Sequence, residues 1–524
     1  MIDSSETVLA RGGPGAAART GRIRSGVRCA LRRHGALALL LAAGIALRIL
    51  TQVAYQPALL FIDSKKYIFG TDLTASAWGS YDPIGYTLLV LRPVLMFANL
   101  GFVAVLQHAA GLAMAVALYA LMLRRGVTRP LAALAVVPVL LDAYQLNAEQ
   151  TIMPDVPFQA LVVAGLVVLL WQPRPGLGLV VAGGLLLGSS APVRQVGEAL
   201  LVPTLVFVLA AARGWRTRLL HGTVLTACFA LPVLGYMAYS DVILHYGFEL
   251  SNMDDAYMYG RTAHAADCAA LNIPAGLRPL CPAPQVAATL GVDGLVNSTV
   301  AARVPVNAKL SQLAGRLPRQ RDLAYAVLRQ QPLRVAGDIA RDSVKVFALT
   351  RDGDKGDAPI ARWQFQASYP YYPHGITQDG PNSASGVFAA TGGGGEARVF
   401  WPAAIALRDY QLHGGYTPGP VVLLTLLAGV AGIFTIGRRD PGNLGLACLL
   451  LTTSAVAVLL GADLYQFSWR YQLPALVTLP VAGAIGATAI ARRVRERRAI
   501  AVVTAAGVPG HVGKLAMAAS EQVS

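Results

Sequence analysis

Long apolar stretches recur along this chain and are separated by short polar or basic connections. A run of about 20 apolar residues crosses the hydrocarbon core of a bilayer as a helix, and shorter runs come close to doing so. The pattern predicts about ten spanning helices. They are 36–54, 101–123, 130–146, 156–171, 176–190, 197–212, 219–239, 419–436, 442–461 and 472–490.

One further apolar segment, 84–100, is interrupted by Arg92 and Pro93. Counting it as a span would place Arg124 and Arg125 on the outer side of the membrane. We therefore expect an interfacial or re-entrant helix there, where a broken helix is tolerated.

Five segments make up the predicted architecture, an all-α polytopic membrane protein with a small mixed extracytoplasmic domain. A loop as long as the one between the seventh and eighth spans is too long for a simple connection. The segments are a disordered basic cytoplasmic tail (1–35), an N-terminal transmembrane module (36–240) with an outer loop (55–100), the extracytoplasmic loop domain (241–418), the C-terminal transmembrane helices (419–490) and a cytoplasmic tail (491–524).

Composition agrees with this assignment. The chain is 55% hydrophobic and only 14% charged, whereas soluble proteins carry roughly a quarter charged residues. Its net charge of +16 is spread between apolar stretches, without a basic groove that would predict nucleic-acid binding.

The positive charge lies on one predicted side of the membrane. The predicted cytoplasmic segments hold 22 of the 44 Lys and Arg residues but only five of the 28 Asp and Glu residues. Cytoplasmic loops are enriched in Lys and Arg, so we expect both termini inside and 241–418 outside.

Acidic residues gather at the predicted outer ends of the helices and indicate a cleft there. Asp63 is either the N-cap of a short helix or a general base toward an acceptor hydroxyl. Lys65 and Lys66 follow it and are candidate phosphate ligands. Asp155, beside Pro154, is either an ordinary helix start or, with Glu149, an acid facing the same cleft.

Two arginines are candidates for binding a phosphate on the same side. Arg470, followed by Tyr471, is either part of an interfacial aromatic belt or a clamp for a phosphate group, which a guanidinium binds well. Arg194 is the second candidate. In the large loop, Cys268 and Cys281 form a disulfide or remain two free thiols.

These segments, in this order, resemble the GT-C superfamily of polytopic glycosyltransferases, closest to its protein mannosyltransferase and aminoarabinose transferase branch. Asp63 and Tyr67 match an essential Asp followed by a Tyr in the first outer loop of those enzymes, and Asp82 to Pro93 matches an interfacial segment. The remaining matches are an acid before the fourth span (Glu149 or Asp155) and a late Arg-Tyr-x-x-Pro (Arg470, Tyr471, Pro474).

The resemblance covers roughly 36–240 and 419–490. It departs at Ser64, where many members carry a second acid, and 241–418 matches no recognisable sugar-binding module.

The resemblance implies transfer of a hexose or pentose from a polyprenyl phosphate to an extracytoplasmic glycan, lipid or protein, with inversion at the anomeric carbon. Asp63 would be the base, and Arg470, Arg194, Lys65 or Lys66 would contact the donor phosphate. Glu149 or Asp155 would position the acceptor, or a divalent cation if one is used, and Tyr67 and Tyr471 would contact the substrates. No nucleotide-binding glycine loop is present, as expected for a lipid-borne donor.

A transporter and a non-catalytic envelope assembly factor are the alternatives. A transporter is expected to carry ionisable residues or broken helices near the membrane midplane and repeat symmetry between its halves. An assembly factor would not need acids gathered at the outer helix ends.

Overall fold

The computed structural model describes residues 33–69, 82–245, 247–251, 254–297, 317–372, 375–437 and 442–505. The predictions for the N-terminal tail and for the end of the C-terminal tail therefore lie almost entirely outside the described residues. Within them the protein is helical, with one two-stranded sheet.

Helices of the N-terminal half form most of the membrane body. They are α1 (Gly35–Ala54), α2 (Ser64–Phe69), α3 (Arg92–Leu95), α4 (Leu100–Arg124), α5 (Arg129–Ala135), α6 (Val137–Leu141), α7 (Ala143–Gln150), α8 (Asp155–Leu170), α9 (Leu177–Gly188), α10 (Leu201–Ala211) and α11 (Trp215–Val242).

Helices of the large loop and of the C-terminal part follow. They are α12 (Asp254–Ala265), α13 (Pro284–Asn297), α14 (Leu317–Gln330), α15 (Pro332–Val344), α16 (Ala384–Ala390), α17 (Trp401–Leu412), α18 (Gly419–Ile433), α19 (Leu444–Tyr465) and α20 (Trp469–Ala505). Strands β1 (Tyr55–Gln56) and β2 (Arg398–Val399) pair antiparallel. Short 3₁₀ or π turns occupy Thr87–Leu91, Gln195–Leu200, Arg278–Leu280, Lys345–Phe347 and Ile360–Trp363.

Five of the described helices, α1, α4, α11, α19 and α20, are long and apolar enough to cross a membrane, and shorter apolar helices accompany them. Large apolar side chains such as Leu39 and Ile49 on α1 and Leu231 on α11 are exposed, as expected for faces in contact with lipid. The predicted all-α polytopic fold is confirmed.

The predicted span 130–146 is not one helix. Pro130 and Pro138 each start a new short helix, and Asp142 caps the N-terminus of α7 by accepting a hydrogen bond from the Tyr144 backbone N–H at 3.0 Å. Proline lacks the N–H needed inside a helix, so the stretch breaks into α5, α6 and α7.

The large loop consists of two parts. Helices α12 to α15 enclose a small core of their own, which includes Tyr259, Leu295 and Leu323. The segment from 345 to 418 instead packs on the membrane body, where Phe365 and Leu407 join the core around Tyr55 at the end of α1. Cys268 and Cys281 form a disulfide in the first part.

A buried ion pair holds the second part of the loop on the membrane helices. Arg351 donates to both carboxylate oxygens of Asp142, at 2.6 and 3.2 Å, and its guanidinium lies 4.3 Å from the Tyr144 ring centre. The loop therefore has a fixed position over the ends of the helices that carry the candidate site residues.

Candidate active site

Asp63 lies in a short segment that is hydrogen-bonded to the end of α7 and to the residues that follow it. The backbone N–H of Leu59 donates to the Gln150 carbonyl at 2.9 Å, and that of Ile152 donates to the Leu59 carbonyl at 2.9 Å. The Ser64 hydroxyl donates to the Ile152 carbonyl at 2.9 Å. These bonds bring Asp63, which precedes α2, to the loop-side end of the membrane helices, near the start of α8.

The Asp63 carboxylate faces two cations. The Lys66 Nζ lies 3.4 Å from Asp63 Oδ1 and also pairs with Asp82, and the Arg470 Nη1 lies 4.0 Å from Asp63 Oδ2. About a third of the Asp63 side chain remains exposed. Burial alone would raise the pKa of Asp63, but the charges of Lys66 and Arg470 outweigh it and hold this pKa below its ordinary value.

Arg470, at the start of α20, is buried in an aromatic enclosure. Its guanidinium lies 4.6 Å from the ring centres of Trp363 and Tyr471 and 5.4 Å from that of Phe61. Its Nη2 donates to the Tyr471 hydroxyl at 2.9 Å. Aromatic faces hold the guanidinium plane in one orientation while leaving its edge available for hydrogen bonds.

Asp155 joins this group from the first turn of α8. It forms an ion pair with Arg194, and its Oδ1 lies 3.6 Å from the Arg470 Nε. The Arg194 guanidinium lies 4.6 Å from the Tyr471 ring centre, so that ring contacts both guanidiniums.

The cluster contains buried hydrogen-bonding atoms that are not satisfied within the described residues. Arg470 Nε and Nη1 and Asp155 Oδ2 have no hydrogen-bond partner there. A buried polar atom without a partner costs about 1–3 kcal/mol, so such atoms often mark a place where a ligand or water binds. Guanidinium nitrogens that make no hydrogen bond suit an anionic oxygen.

The structure therefore brings together Asp63, Lys66, Asp155, Arg194, Arg470 and Tyr471. The sequence distributes them between the first outer loop, the start of the fourth predicted span, the connection between the fifth and sixth spans, and the last span. Tyr67 is buried next to them and packs edge-to-face on Tyr86 at 5.7 Å between ring centres. Burial is the main cause that raises the pKa of Tyr67, so it stays a neutral hydroxyl at ordinary pH.

Two of the predicted site residues lie elsewhere. The Lys65 Nζ donates to Asn382 Oδ1 at 2.7 Å, in the large loop. Glu149 is fully buried among α1, α4 and α7, where it accepts hydrogen bonds from Arg48 at 2.8 Å and Gln145 at 3.2 Å and pairs with His108 at 2.9 Å. Their predicted roles at the substrate site remain predictions.

The described residues contain no group of three or more His, Cys, Asp or Glu side chains arranged to bind a metal ion.

Trp363, Phe61 and Tyr257 belong to the site, although the sequence did not indicate them. Trp363 and Phe61 enclose Arg470, and Tyr257 of α12 interacts electrostatically with Asp82 and Lys66. Trp363 and Tyr257 come from the large loop, and no spacing in the sequence connects that loop to the membrane helices.

No protein-family model matches this chain, and no curated protein matches it. Among solved structures, it is similar to an archaeal oligosaccharyltransferase, AglB from Archaeoglobus fulgidus in complex with an inhibitory peptide and a dolichol-phosphate, with 12% identity, a TM-score of 0.34 and 90% of this chain covered. It is also similar to ArnT from Cupriavidus metallidurans in the apo state, with 14% identity, a TM-score of 0.30 and coverage of 82% of this chain and 78% of ArnT. The chain spans about half of the oligosaccharyltransferase, 52% of its length. Likenesses this distant carry no weight in the assignment of function below.

Proposed function

We propose that this protein is a membrane glycosyltransferase that moves a sugar from a polyprenyl-phosphate donor to an acceptor hydroxyl, with inversion, on the extracytoplasmic side. The observation that carries the proposal is a partly exposed carboxylate, Asp63, next to a buried guanidinium, Arg470, two of whose nitrogens make no hydrogen bond within the described residues. Both lie at the ends of membrane helices, where a lipid-borne donor would bring its phosphate.

The reaction needs a base and an anion-binding group within reach of each other. The acceptor oxygen attacks the anomeric carbon and forms a new bond to it. The bond between the anomeric carbon and the phosphate oxygen breaks, and its electron pair leaves with the lipid phosphate. Asp63 would accept the proton of the acceptor hydroxyl, which is general-base catalysis. Arg470 and Arg194 would stabilise the negative charge on the departing phosphate.

The charges around Asp63 suit this role. Because Lys66 and Arg470 lower its pKa, Asp63 is ionised at neutral pH and able to accept a hydrogen bond from a hydroxyl. Asp155 would keep Arg194 and Arg470 in place rather than react, because it is buried and pairs with Arg194. Tyr471, held between the two guanidiniums, would fix their spacing.

The test is sugar transfer by the purified protein in liposomes, with radiolabelled polyprenyl-phosphate sugars and a membrane extract as the source of acceptors. We expect Asp63→Asn to lower the transfer rate by about a hundredfold or more, the usual contribution of a general base. Asp409→Asn is the matched control, since Asp409 is an exposed acid on α17 outside the site. Full transfer by Asp63→Asn would remove Asp63 from the mechanism, and absence of donor turnover by folded wild-type protein would refute the class.

A transporter is the second candidate, favoured by the buried cluster of Arg48, Glu149 and His108 between membrane helices. Ionisable groups inside a membrane domain are costly and usually functional. Under the transferase proposal this cluster is structural, since Glu149 has hydrogen-bond partners on both oxygens. Turnover of a polyprenyl-phosphate sugar by the wild-type protein would decide against the transporter.

A further inference from the structure

A second possible ligand site lies in the large loop, outside the cluster around Asp63. It is a cleft of about 710 Å³ between the end of α12, the start of α13 and α15. Its walls carry His264, Asp267, Pro284, Leu333, Arg334 and Arg341. The volume falls within the range of sites that bind small molecules or a few units of a polymer.

The carboxylates of the cleft are already engaged. Asp338 Oδ2 accepts hydrogen bonds from Arg261 at 2.7 Å and pairs with His264 at 2.8 Å, while its Oδ1 accepts from Arg341 at 3.2 Å. Asp267 Oδ2 accepts from Arg334 at 3.2 Å. Each acid is thus held by at least one cation of the cleft wall.

The guanidiniums are the most accessible charged groups of the cleft. The side chains of Arg334 and Arg341 are 58% and 72% exposed, whereas those of Asp267 and Asp338 are 38% and 8% exposed. Each guanidinium uses one nitrogen for its carboxylate and has further N–H groups at the cleft surface. A ligand entering the cleft therefore meets mainly cationic donors, which favour a carboxylate or phosphate group.

The cleft is built on a fixed scaffold. Arg261, which is almost fully buried, donates to Asp338 and Asp342 of α15, and to the backbone carbonyl of Asp463 in α19. The Cys268–Cys281 disulfide links the chain that leaves α12 to the chain that enters α13. The relative positions of the walls are thus set before a ligand arrives, which lowers the cost of binding.

Helix α12 connects the cleft to the candidate active site. Tyr257 interacts electrostatically with Asp82 and Lys66, and His264 lies in the cleft wall on the same helix. At 1.5 Å per residue, these two positions are about 10 Å apart along the helix axis. A polymeric acceptor bound in the cleft therefore lies on the helix that leads to the residues around Asp63.

We propose that this cleft binds an acidic stretch, carrying carboxylate or phosphate groups, of the glycan that accepts the sugar. The inference rests on the proposed function, since it assigns the acceptor of that same reaction. Arg334 and Arg341 bind the anionic groups, and the apolar wall around Pro284 and Leu333 contacts the sugar rings.

The test is direct binding of trigalacturonic acid to the full-length protein in detergent, measured by isothermal titration calorimetry without any donor. We expect the Arg334→Gln/Arg341→Gln double variant to bind at least about tenfold more weakly, because each charge-assisted hydrogen bond contributes on that scale. Arg329→Gln is the matched control, an exposed arginine of α14 outside the cleft. The fully methyl-esterified trisaccharide, an acidic glutamate peptide and inorganic phosphate are tested in parallel.

Binding that requires the acidic groups and both arginines, and that survives Arg329→Gln, supports the proposal. Absence of binding, equal binding by the double variant, or equal binding of the methyl ester overturns it. Tighter binding of the glutamate peptide also overturns it and indicates a protein partner. Inorganic phosphate that binds as tightly as the trisaccharide overturns it too, because the sugar rings then contribute nothing to binding.

The two proposals fail separately. Trigalacturonic acid binding without donor turnover would remove the transferase assignment but keep an acidic-glycan site. Donor turnover without trigalacturonic acid binding would keep the transferase assignment and remove the acidic-glycan site.

Discussion

At the scale of single residues, Lys66 is the nearer of the two cations that pair with Asp63. It lies between Asp63 and Asp82, and its charge, together with those of Arg470 and Arg194, lowers the Asp63 pKa against the opposing effect of burial. The same contacts raise the pKa of Lys66, so this ammonium stays charged throughout the ordinary pH range.

Under the proposed function, the pH dependence of sugar transfer follows from this arrangement. Because the Asp63 pKa lies below its ordinary value of about 3.9, we expect a constant rate from about pH 8 down to about pH 4. The stabilisation that the carboxylate gains from its cations is likewise present above the ordinary pKa. It is lost only as the pH falls through the lowered value.

Lys66→Met should move the acid limb of the pH–rate profile to higher pH, since burial then raises the Asp63 pKa with less opposition. The initial transfer rate, measured at each pH, is the test. Lys65→Met is the matched control, because the Lys65 ammonium contacts Asn382 instead and should leave the acid limb in place. Identical profiles for wild type and Lys66→Met would contradict the prediction.

At the scale of the helices, close packing between α18 and α20 depends on glycine. A Cβ added at Gly486 would lie 2.1 Å from the Ala428 backbone oxygen, so α18 would have to move away. Small residues at contact points let membrane helices approach closely, where van der Waals packing stabilises them.

We expect Gly486→Ala to lower the free energy of unfolding by about 1–3 kcal/mol, the usual cost of overpacking. Thermal unfolding in detergent measures this as a lower melting temperature. Gly235→Ala in α11 is the control, because an added Cβ there meets no atom within 4 Å. A melting temperature equal to that of wild type would show that the two helices tolerate a wider separation.

The disulfide should stabilise the part of the loop that forms the cleft. Its cysteines are 13 residues apart, and closing a loop of that size contributes about 3 kcal/mol. Cys268→Ala/Cys281→Ala should therefore make α12 to α15 more sensitive to limited proteolysis, whereas Cys228→Ala in α11 should not. Equal cleavage rates in all three proteins would indicate that the helical core around Leu323 is sufficient alone.

Hydropathy predicted the long helices well and the short ones less well. The ends of α4 and α19 lie within a few residues of the predicted spans, because a run of about 20 apolar residues has few alternatives. The stretch 130–146 is equally apolar but breaks at Pro138 and Asp142, where local backbone chemistry outweighs hydropathy.

The charged residues of the candidate site could also be predicted from the sequence. Charged residues at helix ends are conspicuous in an apolar sequence, and this identified Asp63, Asp155, Arg194 and Arg470. The enclosure of Arg470 by Trp363 and the separation of Glu149 from Asp63 depend on tertiary packing. Periodicity and composition contain no information on either.

At the scale of the whole molecule, the charge distribution predicts one orientation in the membrane. The basic connection at 213–218 should be cytoplasmic and the large loop extracytoplasmic. Alkaline phosphatase, which needs disulfides and so folds only in an oxidising compartment, should be active when fused after residue 354 and inactive after residue 216. The reverse pattern would invert the topology and place Asp63 on the cytoplasmic side.

The pairing of Asp63 with Arg470 also has a consequence for how the protein is made. Asp63 leaves the ribosome soon after the first helix, whereas Arg470 belongs to the last long helix. The Asp63 carboxylate, which lies next to Lys66, is therefore synthesised long before Arg470, its second cationic partner. Under the proposed function, a chain that ends before α20 lacks Arg470 and should not transfer sugar.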